Sequence, residues 1–202
     1  MRIISGVFKG KKLLIPKDRS TRPLRDAVKE SIFNILQHSK FFKYKLLNSN
    51  ILDLFSGVGT FGLECISRSS KHVTFFENHP PALNMLKKNI HILECLDKTE
   101  IIEKDVFKLK NLNLYLKNYE FIFLDPPFKE IRIKIILDII KDEGILKKDG
   151  IILIHRDRKT LDEFPDGFKI LLTKNYGRSK IILSGKSYHE VKELLNVTQQ
   201  FY

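Results

Sequence analysis

Residues 51–62 read ILDLFSGVGTFG and decide the fold of this chain. The apolar run 51–55 has the length of a buried strand, and the glycines that follow, Gly57, Gly59 and Gly62, have the spacing G-x-G-x-x-G. Such glycines let the backbone turn tightly and let a ligand approach the first amides of a helix. Glu77 follows about 20 residues later, as acids that bind a ribose do in nucleotide sites. The stretch therefore predicts the first strand–turn–helix unit of a nucleotide-binding sheet, with an ordinary Gly-rich turn as the alternative.

Strand-like and helix-like segments alternate after residue 50. The pattern predicts helices at 61–68, from 78 onward and at 131–142, and strands at 51–55, 72–77, 100–104, 119–124 and 150–155. Right-handed crossovers between such strands give a parallel sheet with helices on both faces. Two last runs, 168–173 and 179–183, have no helix between them, which indicates an antiparallel hairpin. We therefore expect a Rossmann-like α/β fold whose sheet has seven strands, mostly parallel, and ends in this hairpin.

The segment ahead of the sheet has a different character. Two short strands are expected around Gly6 and Gly10, followed by a basic loop at 16–25. Asp26 has the side chain of an N-cap, and apolar spacings of four and three predict a helix that begins there, ends before Lys43 and packs on a sheet. We divide the chain into an N-terminal extension of hairpin, loop and helix, 1–45, and a main domain, 46–202, which together form one compact unit.

The chain is strongly basic, with 36 Lys and Arg against 24 Asp and Glu, a formal net charge of +12 and a pI near 9.6. Such an excess favours a polyanionic partner through phosphate neutralisation, although a basic enzyme from a lysine-rich proteome would have the same composition. The candidate nucleic-acid contacts are the basic residues near the N-terminus, Arg2, Lys9, Lys11, Lys12, Arg22 and Arg25. A solvated basic arm without a partner is the alternative.

The composition also disfavours several other classes of protein. Apolar residues make up 43% and charged residues 30% of the chain, as in folded domains. Cys65 and Cys95 stand far from each other and from any His pair, so we expect core thiols in a cytoplasmic protein, with no disulfide and no zinc site. The apolar runs are only strand-sized, so we expect no membrane span and no signal peptide.

Ligands of an open parallel sheet bind at the carboxyl ends of the strands, so the residues that follow each strand are informative. Glu77 follows the second predicted strand, and its carboxylate could accept the hydrogen bonds of both ribose hydroxyls. Asp105 follows the third, where it could accept the exocyclic amine of an adenine. Either acid could instead be an ordinary helix cap or turn residue.

Residues 125–128, Asp-Pro-Pro-Phe, follow the fourth predicted strand directly. The two prolines fix the backbone and remove two N–H donors, so we expect the carbonyls of this turn to be unpaired. A carboxylate, free carbonyls and an aromatic face can bind the amine of a nucleobase and stack its ring on Phe128. The alternative is a proline-terminated strand with a core Phe.

Together, the segment 53–64, Glu77 and the Asp-Pro-Pro-Phe turn resemble S-adenosylmethionine-dependent methyltransferases that modify amino nitrogens. The closer resemblance is to the RsmD family, the guanine-N2 methyltransferases of bacterial small-subunit (16S) ribosomal RNA. It extends from residue 2 to about residue 184 and rests on four further segments: RIISG at 2–6, KGKKL at 9–13, TRP at 21–23 and the stretch 26–34. Asp-Pro-Pro-Phe alone does not choose a substrate, because DNA adenine methylases share it.

The resemblance implies a class I methyltransferase that methylates the exocyclic N2 amine of a guanine without a metal. The residues that it assigns to the cofactor S-adenosylmethionine are Asp53, Phe55, Gly57, Gly59, Thr60, Glu77, Asn78, Asp105 and Val106. Those that it assigns to the target guanine and catalysis are Asp125, Pro126, Pro127 and Phe128. The implied partner is small-subunit ribosomal RNA, naked or assembled in the 30S particle, and we expect a monomer.

The chain departs from the family pattern at Ala27 and Lys29, where Arg is usual, and at His155, where an acid is usual. We expect these departures to affect RNA contacts more than chemistry. Among rival functions, an adenine-N6 methyltransferase acting on DNA or RNA would use the same turn at 125–128. A nicotinamide dehydrogenase would use the same glycines but leaves that turn unexplained, and a non-catalytic RNA-binding module would not need Asp125.

Overall fold

The computed structural model describes residues 1–17, 24–39, 42–108 and 118–186. Within these ranges the regular elements are α1 (Asp26–His38), β1 (Asn50–Leu54), α2 (Thr60–Ser67), β2 (His72–Phe76), α3 (Pro80–Ile92), β3 (Thr99–Ile102), β4 (Tyr119–Leu124), α4 (Ile133–Asp142), β5 (Leu146–Asp157), β6 (Lys169–Tyr176) and β7 (Ser179–Gly185). Short 3₁₀ turns, Leu96–Lys98 and Val106–Lys108, stand on either side of β3.

The strands of the described ranges form one seven-stranded sheet in the order β3-β2-β1-β4-β5-β7-β6. β1 to β5 are parallel, and β7 runs antiparallel to both β5 and β6. The predicted Rossmann-like sheet and its C-terminal hairpin are thereby confirmed. Because β1 lies between β2 and β4, the chain changes direction across the sheet at β1, and such a switch point opens a crevice at the carboxyl ends of the strands.

The central strands are apolar on both faces because helices cover both. Ile51, Phe121 and Leu153 pack on one face with apolar residues of α1, α2 and α3. The alternate residues Leu52 and Ile122 pack on the other face with α4, whose buried side chains lie three and four residues apart, at Ile133, Ile136, Leu137 and Ile140. Each such side chain contributes roughly 1.5–3 kcal/mol on burial, so the sheet is a rigid base for the loops at its edge.

The helix predicted at Asp26 is present, but the predicted N-cap role of Asp26 is wrong. Arg25 occupies the N-cap position, and no side-chain capping hydrogen bond is formed there. Asp26 is instead the first helical residue, where its negative charge is favourable at the positive end of the helix dipole. Its carboxylate also lies 3.6 Å from the guanidinium of Arg2.

The two predicted N-terminal strands form a short hairpin, in which Arg2 and Lys12 make one antiparallel bridge and the amides of Ile3 and Leu13 donate to the carbonyls of Lys11 and Met1. The amides of Ile4 and Ser5 donate to the carboxylate of Glu64, at 2.8 and 2.9 Å. A side chain of α2 therefore binds the two donors that follow the first arm of the hairpin, and it holds the hairpin against α2.

Glu64 is completely buried, and it contacts charged side chains of both the N-terminal extension and the main domain. Its carboxylate accepts a hydrogen bond from Nε of Arg68 at 2.9 Å and lies 3.5 Å from Nζ of Lys29. Lys29 is equally buried, donates to the carbonyl of Arg2 at 2.5 Å, and has its pKa lowered by burial. The expectation that the departure at Lys29 concerns RNA contact is wrong, because this ammonium lies in the interior.

Candidate active site

A cavity of about 430 Å³ opens at the carboxyl ends of β1, β2 and β4. Its lining includes most of the residues assigned from the sequence to cofactor and guanine, namely Asp53, Phe55, Gly57, Thr60, Glu77, Asn78, Asp125, Pro126, Pro127 and Phe128. Sequence reasoning missed the rest of the lining, which consists of Met1, Leu24, Ser56, Val58, Phe61, His79, Ala82 and Phe123. The glycine turn and the Asp-Pro-Pro-Phe turn thus face one space.

A second cavity, of about 220 Å³, adjoins the first through four shared residues, Phe55, Glu77, Asn78 and Pro127. Asp105 and Val106, the residues assigned to adenine, line it, as does Arg132, which was not anticipated. One oxygen of Asp105 already accepts the amide of Phe107 at 3.0 Å. The guanidinium of Arg132 lies 4.0 Å from the centre of the Phe107 ring, so the cavity has a cation–aromatic wall.

The turn after β1 is strained at one residue and crowded at another. Phe55 has a φ of +60°, a left-handed conformation that costs a bulky residue about 1–3 kcal/mol and that is concentrated at functional sites. At Gly57, which lines the first cavity, an added Cβ would meet no atom within 4 Å. At Gly59 it would lie 2.5 Å from Leu86, and Gly59 lines neither cavity. Gly57 therefore lies beside the cavity space, whereas Gly59 allows α2 to pack against α3.

Asp53, near the end of β1, is a buried acid with one unsatisfied oxygen. Its Oδ2 accepts the amide of Gly62 at 2.9 Å, whereas its buried Oδ1 has no partner in the described part of the chain. Burial is the main cause that raises the pKa of Asp53 well above its ordinary value, and the charges of Asp125 and Glu77 act in the same direction. A positively charged ligand beside this carboxylate would offset the free-energy cost of ionising it in the interior.

Glu77 follows β2 and holds three backbone amides. Its Oε2 accepts from Gly57 at 2.7 Å, and its Oε1 accepts from Asn78 at 2.9 Å and His79 at 2.8 Å. A carboxylate offers about four acceptor sites, so roughly one remains. Glu77 therefore both fixes the glycine turn against the start of α3 and retains room for one hydroxyl donor.

The Asp-Pro-Pro-Phe turn begins where β4 ends, and Asp125 is anchored by its amide to the carbonyl of Leu54 at 3.3 Å. The expectation of unpaired carbonyls is wrong for Pro127, which accepts from the amide of Glu130 at 2.8 Å and from Arg156 at 3.4 Å. Pro126 accepts from no donor in the described ranges, in agreement with the expectation. Phe128 is half-buried and lines the cavity without filling it.

Two neighbouring residues of β5 hold this turn, and sequence reasoning assigned a role in it to neither. His155 Nδ1 lies 2.8 Å from Oδ1 of Asp125, so its expected role in RNA contact is wrong: it touches the candidate catalytic residue. Arg156 is 1% exposed, and its guanidinium donates to Asp162 at 2.9 Å and to the carbonyl of Glu130 at 2.6 Å. Both residues lie on the strand next to the turn, and only the register between β4 and β5 shows that they reach it.

The N-terminal extension closes one side of the cavity through Met1 and Leu24. The hydroxyl of Thr60 lies 2.7 Å from the sulfur of Met1, and the side-chain amide of Asn89 links the backbone of Leu14 to Val58. The candidate RNA residues Arg2, Lys9, Lys11, Lys12 and Arg25 are all exposed, and Arg22 lies outside the described residues.

Three further features of the described residues concern metal ligands, helix length and the two cysteines. They contain no cluster of three or more His, Cys, Asp and Glu side chains that could hold a metal ion. None of the helices in these ranges has the length and apolar character needed to cross a membrane. Cys65 and Cys95 are both buried, and burial raises the pKa of Cys95 to about 11.

The strand order, with its glycine turn and acids at the switch point, defines a class I methyltransferase fold. Solved structures agree: yhhF from Escherichia coli, described as a methyltransferase, matches with a TM-score of 0.77 and 25% identity over 93% of this chain and 98% of that chain. HI0767 from Haemophilus influenzae, described as a methylase, matches with a TM-score of 0.73 and 28% identity over 93% and 99%.

The chain belongs to the family described as conserved hypothetical protein 95, whose profile matches residues 1–185. The Haemophilus influenzae protein named ribosomal RNA small subunit methyltransferase D is 30% identical over 178 residues, which cover 88% of this chain and 89% of that protein. YlbH of Bacillus subtilis is 35% identical over 167 residues, which cover 82% and 86%. These matches confirm the resemblance to the RsmD family.

Proposed function

We propose that this protein transfers a methyl group from S-adenosylmethionine to the exocyclic N2 amine of a guanine in small-subunit ribosomal RNA. The observation that carries the proposal is one cavity lined both by the glycine turn with Glu77 and by the turn Asp125–Phe128. A nucleotide-like cofactor and a flat, amine-bearing base can meet there. Relatives named ribosomal RNA small subunit methyltransferase D support ribosomal RNA as the substrate class.

The residues around the glycine turn fit the proposed cofactor. The carboxylate of Asp53, with one unsatisfied oxygen, suits the ammonium of the methionine part. The remaining acceptor site of Glu77 suits one ribose hydroxyl, and Asp105 with Val106 in the adjoining cavity suits the adenine. When bound, this cofactor supplies a methyl group on a sulfonium, an electrophile that needs no further activation.

The task left to the protein is to orient the acceptor amine, because the N2 lone pair of guanine is delocalised into the ring. Oδ2 of Asp125 and the carbonyl of Pro126 are acceptors for the two N–H groups, and neither has a donor in the described part of the chain. Two such bonds favour a pyramidal nitrogen, and positioning of this kind contributes several kcal/mol. The amine proton then leaves to Asp125, which acts as a modest base.

The RNA would reach the cavity with its target base out of the helical stack, since Phe128 can stack only on an exposed ring. Such a base is most accessible in a single-stranded loop. The exposed basic residues of the extension, Arg2, Lys9, Lys11, Lys12 and Arg25, are suited to hold the flanking phosphates. We propose a monomer that acts on naked small-subunit RNA or on the assembled 30S particle.

A labelled-methyl assay on undermethylated 30S particles, naked 16S RNA and DNA tests the function, with the product base identified by mass mapping. We expect N2-methylguanine in the small-subunit RNA. Methyl incorporation at adenine N6, or into DNA, would support the adenine methylase instead. As a control for the cofactor, S-adenosylhomocysteine should raise the melting temperature and NAD should not, because only a ligand of the native state stabilises it.

A further inference from the structure

His155 lies beside the candidate catalytic acid because of the sheet register. Leu124 of β4 is opposite Ile154 of β5 in a parallel pair, so the next residues, Asp125 and His155, come side by side. Nδ1 of His155 is 2.8 Å from Oδ1 of Asp125. The His155 side chain is 7% exposed and that of Asp125 is 23% exposed. The imidazole therefore lies behind the carboxylate, which remains open to the cavity.

The chemistry of the two groups fixes the direction of this hydrogen bond. An ionised carboxylate can only accept, so Nδ1 of His155 carries the proton and donates it. Nε2 is then left buried with no hydrogen-bond partner among the described residues. An unpaired buried nitrogen lowers stability, so an apolar side chain would fill this place better if packing were its only role. The hydrogen bond to Asp125 therefore explains why a polar ring occupies this buried position.

The imidazole also contacts the aromatic residue of the same turn. The rings of His155 and Phe128 are edge to face, with centroids 5.6 Å apart and planes at 70°. On the other side of β5, Ile181 of β7 is opposite His155 and fully buried. The ring therefore lies between a packed strand and the turn, where it can hold Asp125 and Phe128 at a fixed separation.

We propose that His155 is a positioning residue for methyl transfer, whose Nδ1–H holds Oδ1 of Asp125 so that Oδ2 receives the acceptor amine. The proposal rests on the proposed function, because it concerns the orientation of that amine. The proton balance of the reaction is unchanged: the amine proton leaves to Oδ2, and the imidazole takes no part in that transfer. Its effect is therefore expected on the chemical step and not on cofactor or RNA binding.

Three substitutions separate positioning from packing. His155→Leu removes the donor, His155→Asn offers an amide nitrogen near the place of Nδ1, and His155→Gln offers one near the place of Nε2. We expect kcat to fall by roughly 10- to 100-fold in the Leu and Gln variants, since small misplacements have effects of that size. The Asn variant should recover kcat to within about 5-fold of wild type, with KM for RNA and Kd for S-adenosylhomocysteine within about 3-fold in all three.

A Leu variant with wild-type kcat, or a Gln variant that recovers as well as the Asn variant, would overturn the proposal. A measurement on the wild-type protein keeps the test valid if a variant fails to fold. The ¹⁵N spectrum of His155 should show a protonated Nδ1 whose signal shifts in Asp125→Ala, and an unchanged spectrum would refute the pairing. A wild-type protein inactive on every nucleic acid would refute the proposed function instead, while the spectrum still reports on the pair.

Discussion

The two halves of the cavity hold their carboxylates in different ways. In the cofactor half, Glu77 accepts three backbone amides, which the turns at Gly57 and at the start of α3 fix in place. In the acceptor half, Asp125 is held by a single imidazole from the neighbouring strand. Main-chain donors cannot change rotamer, whereas a side-chain donor fixes one oxygen and leaves the other free to bind. Under the proposed function, this difference leads us to expect tight binding in the cofactor half and orientation of the amine in the acceptor half.

Asp125→Ala should have the largest effect, because it removes the carboxylate of the acceptor half. We expect methyl transfer to fall by roughly 10²- to 10⁴-fold, the range typical of a missing acid–base group. The affinity for S-adenosylhomocysteine should stay within a few-fold, as measured by calorimetry. Asp125→Asn is the matched control that keeps the shape without the charge. Equal loss of transfer and of cofactor affinity would show that the two halves are not separate.

Glu77→Ala breaks the cofactor half. It leaves three amides without their acceptor and removes the proposed ribose contact. We therefore expect about 10- to 100-fold weaker binding of S-adenosylhomocysteine and a decrease of about 1–3 kcal/mol in the free energy of unfolding. Calorimetry and urea unfolding measure the two effects. Unchanged affinity would contradict the role of Glu77 at the ribose.

Asp53→Asn tests whether the pH dependence of stability and of cofactor affinity comes from the ionisation of Asp53. Because burial raises the pKa of Asp53, its contribution to stability is fully present below the ordinary pKa of about 4 and is lost as pH rises through the raised value. The Asn side chain cannot ionise. The melting temperature of the variant should therefore exceed that of wild type at pH values near and above the raised pKa of Asp53. Wild-type affinity for S-adenosylhomocysteine should rise with pH across the same window, and the variant should bind more weakly with a flat profile. Parallel profiles would contradict an ionised Asp53 in the complex.

Substituting Lys9, Lys11 and Lys12 with Ala should have the smallest effect for each residue removed. RNA affinity should weaken by a few-fold per residue, and its dependence on salt should flatten by about one unit of slope for each phosphate that is no longer neutralised. Lys134 is the matched control, because it is exposed on α4, which packs on the face of the sheet opposite to that covered by Ile3 and Leu13. An equal change per residue at Lys134 would indicate non-specific attraction only.

The sheet and half of the site could be predicted because their signals are local. The glycines after β1 and the prolines after β4 lie next to the strands that place them, so topology alone brings them to one edge. The C-terminal hairpin is predicted in the same way, from two strand-like segments that have no helix between them. These features need only chain connectivity and residue type.

The contacts of His155 and Glu64 could not be predicted because they depend on register and on long-range packing. His155 meets Asp125 only because β4 and β5 align at Leu124 and Ile154. Glu64 has the sequence context of a surface acid on α2, yet it is buried under the N-terminal segment. A buried acid needs charged or hydrogen-bonding partners, and three of those of Glu64, the amides of Ile4 and Ser5 and the ammonium of Lys29, come from distant parts of the chain.

Glu64 has a further consequence for how the extension can change. Its carboxylate joins the amides of Ile4 and Ser5 to Lys29 and Arg68, so removing the first residues would take away two of its hydrogen-bond donors. The converse also holds, since an extension transplanted onto another sheet would carry the buried ammonium of Lys29 without Glu64 and leave it only the half-exposed Asp26. This part of the chain is therefore not an interchangeable module, and it can diverge only in step with the helix that begins at the glycine turn.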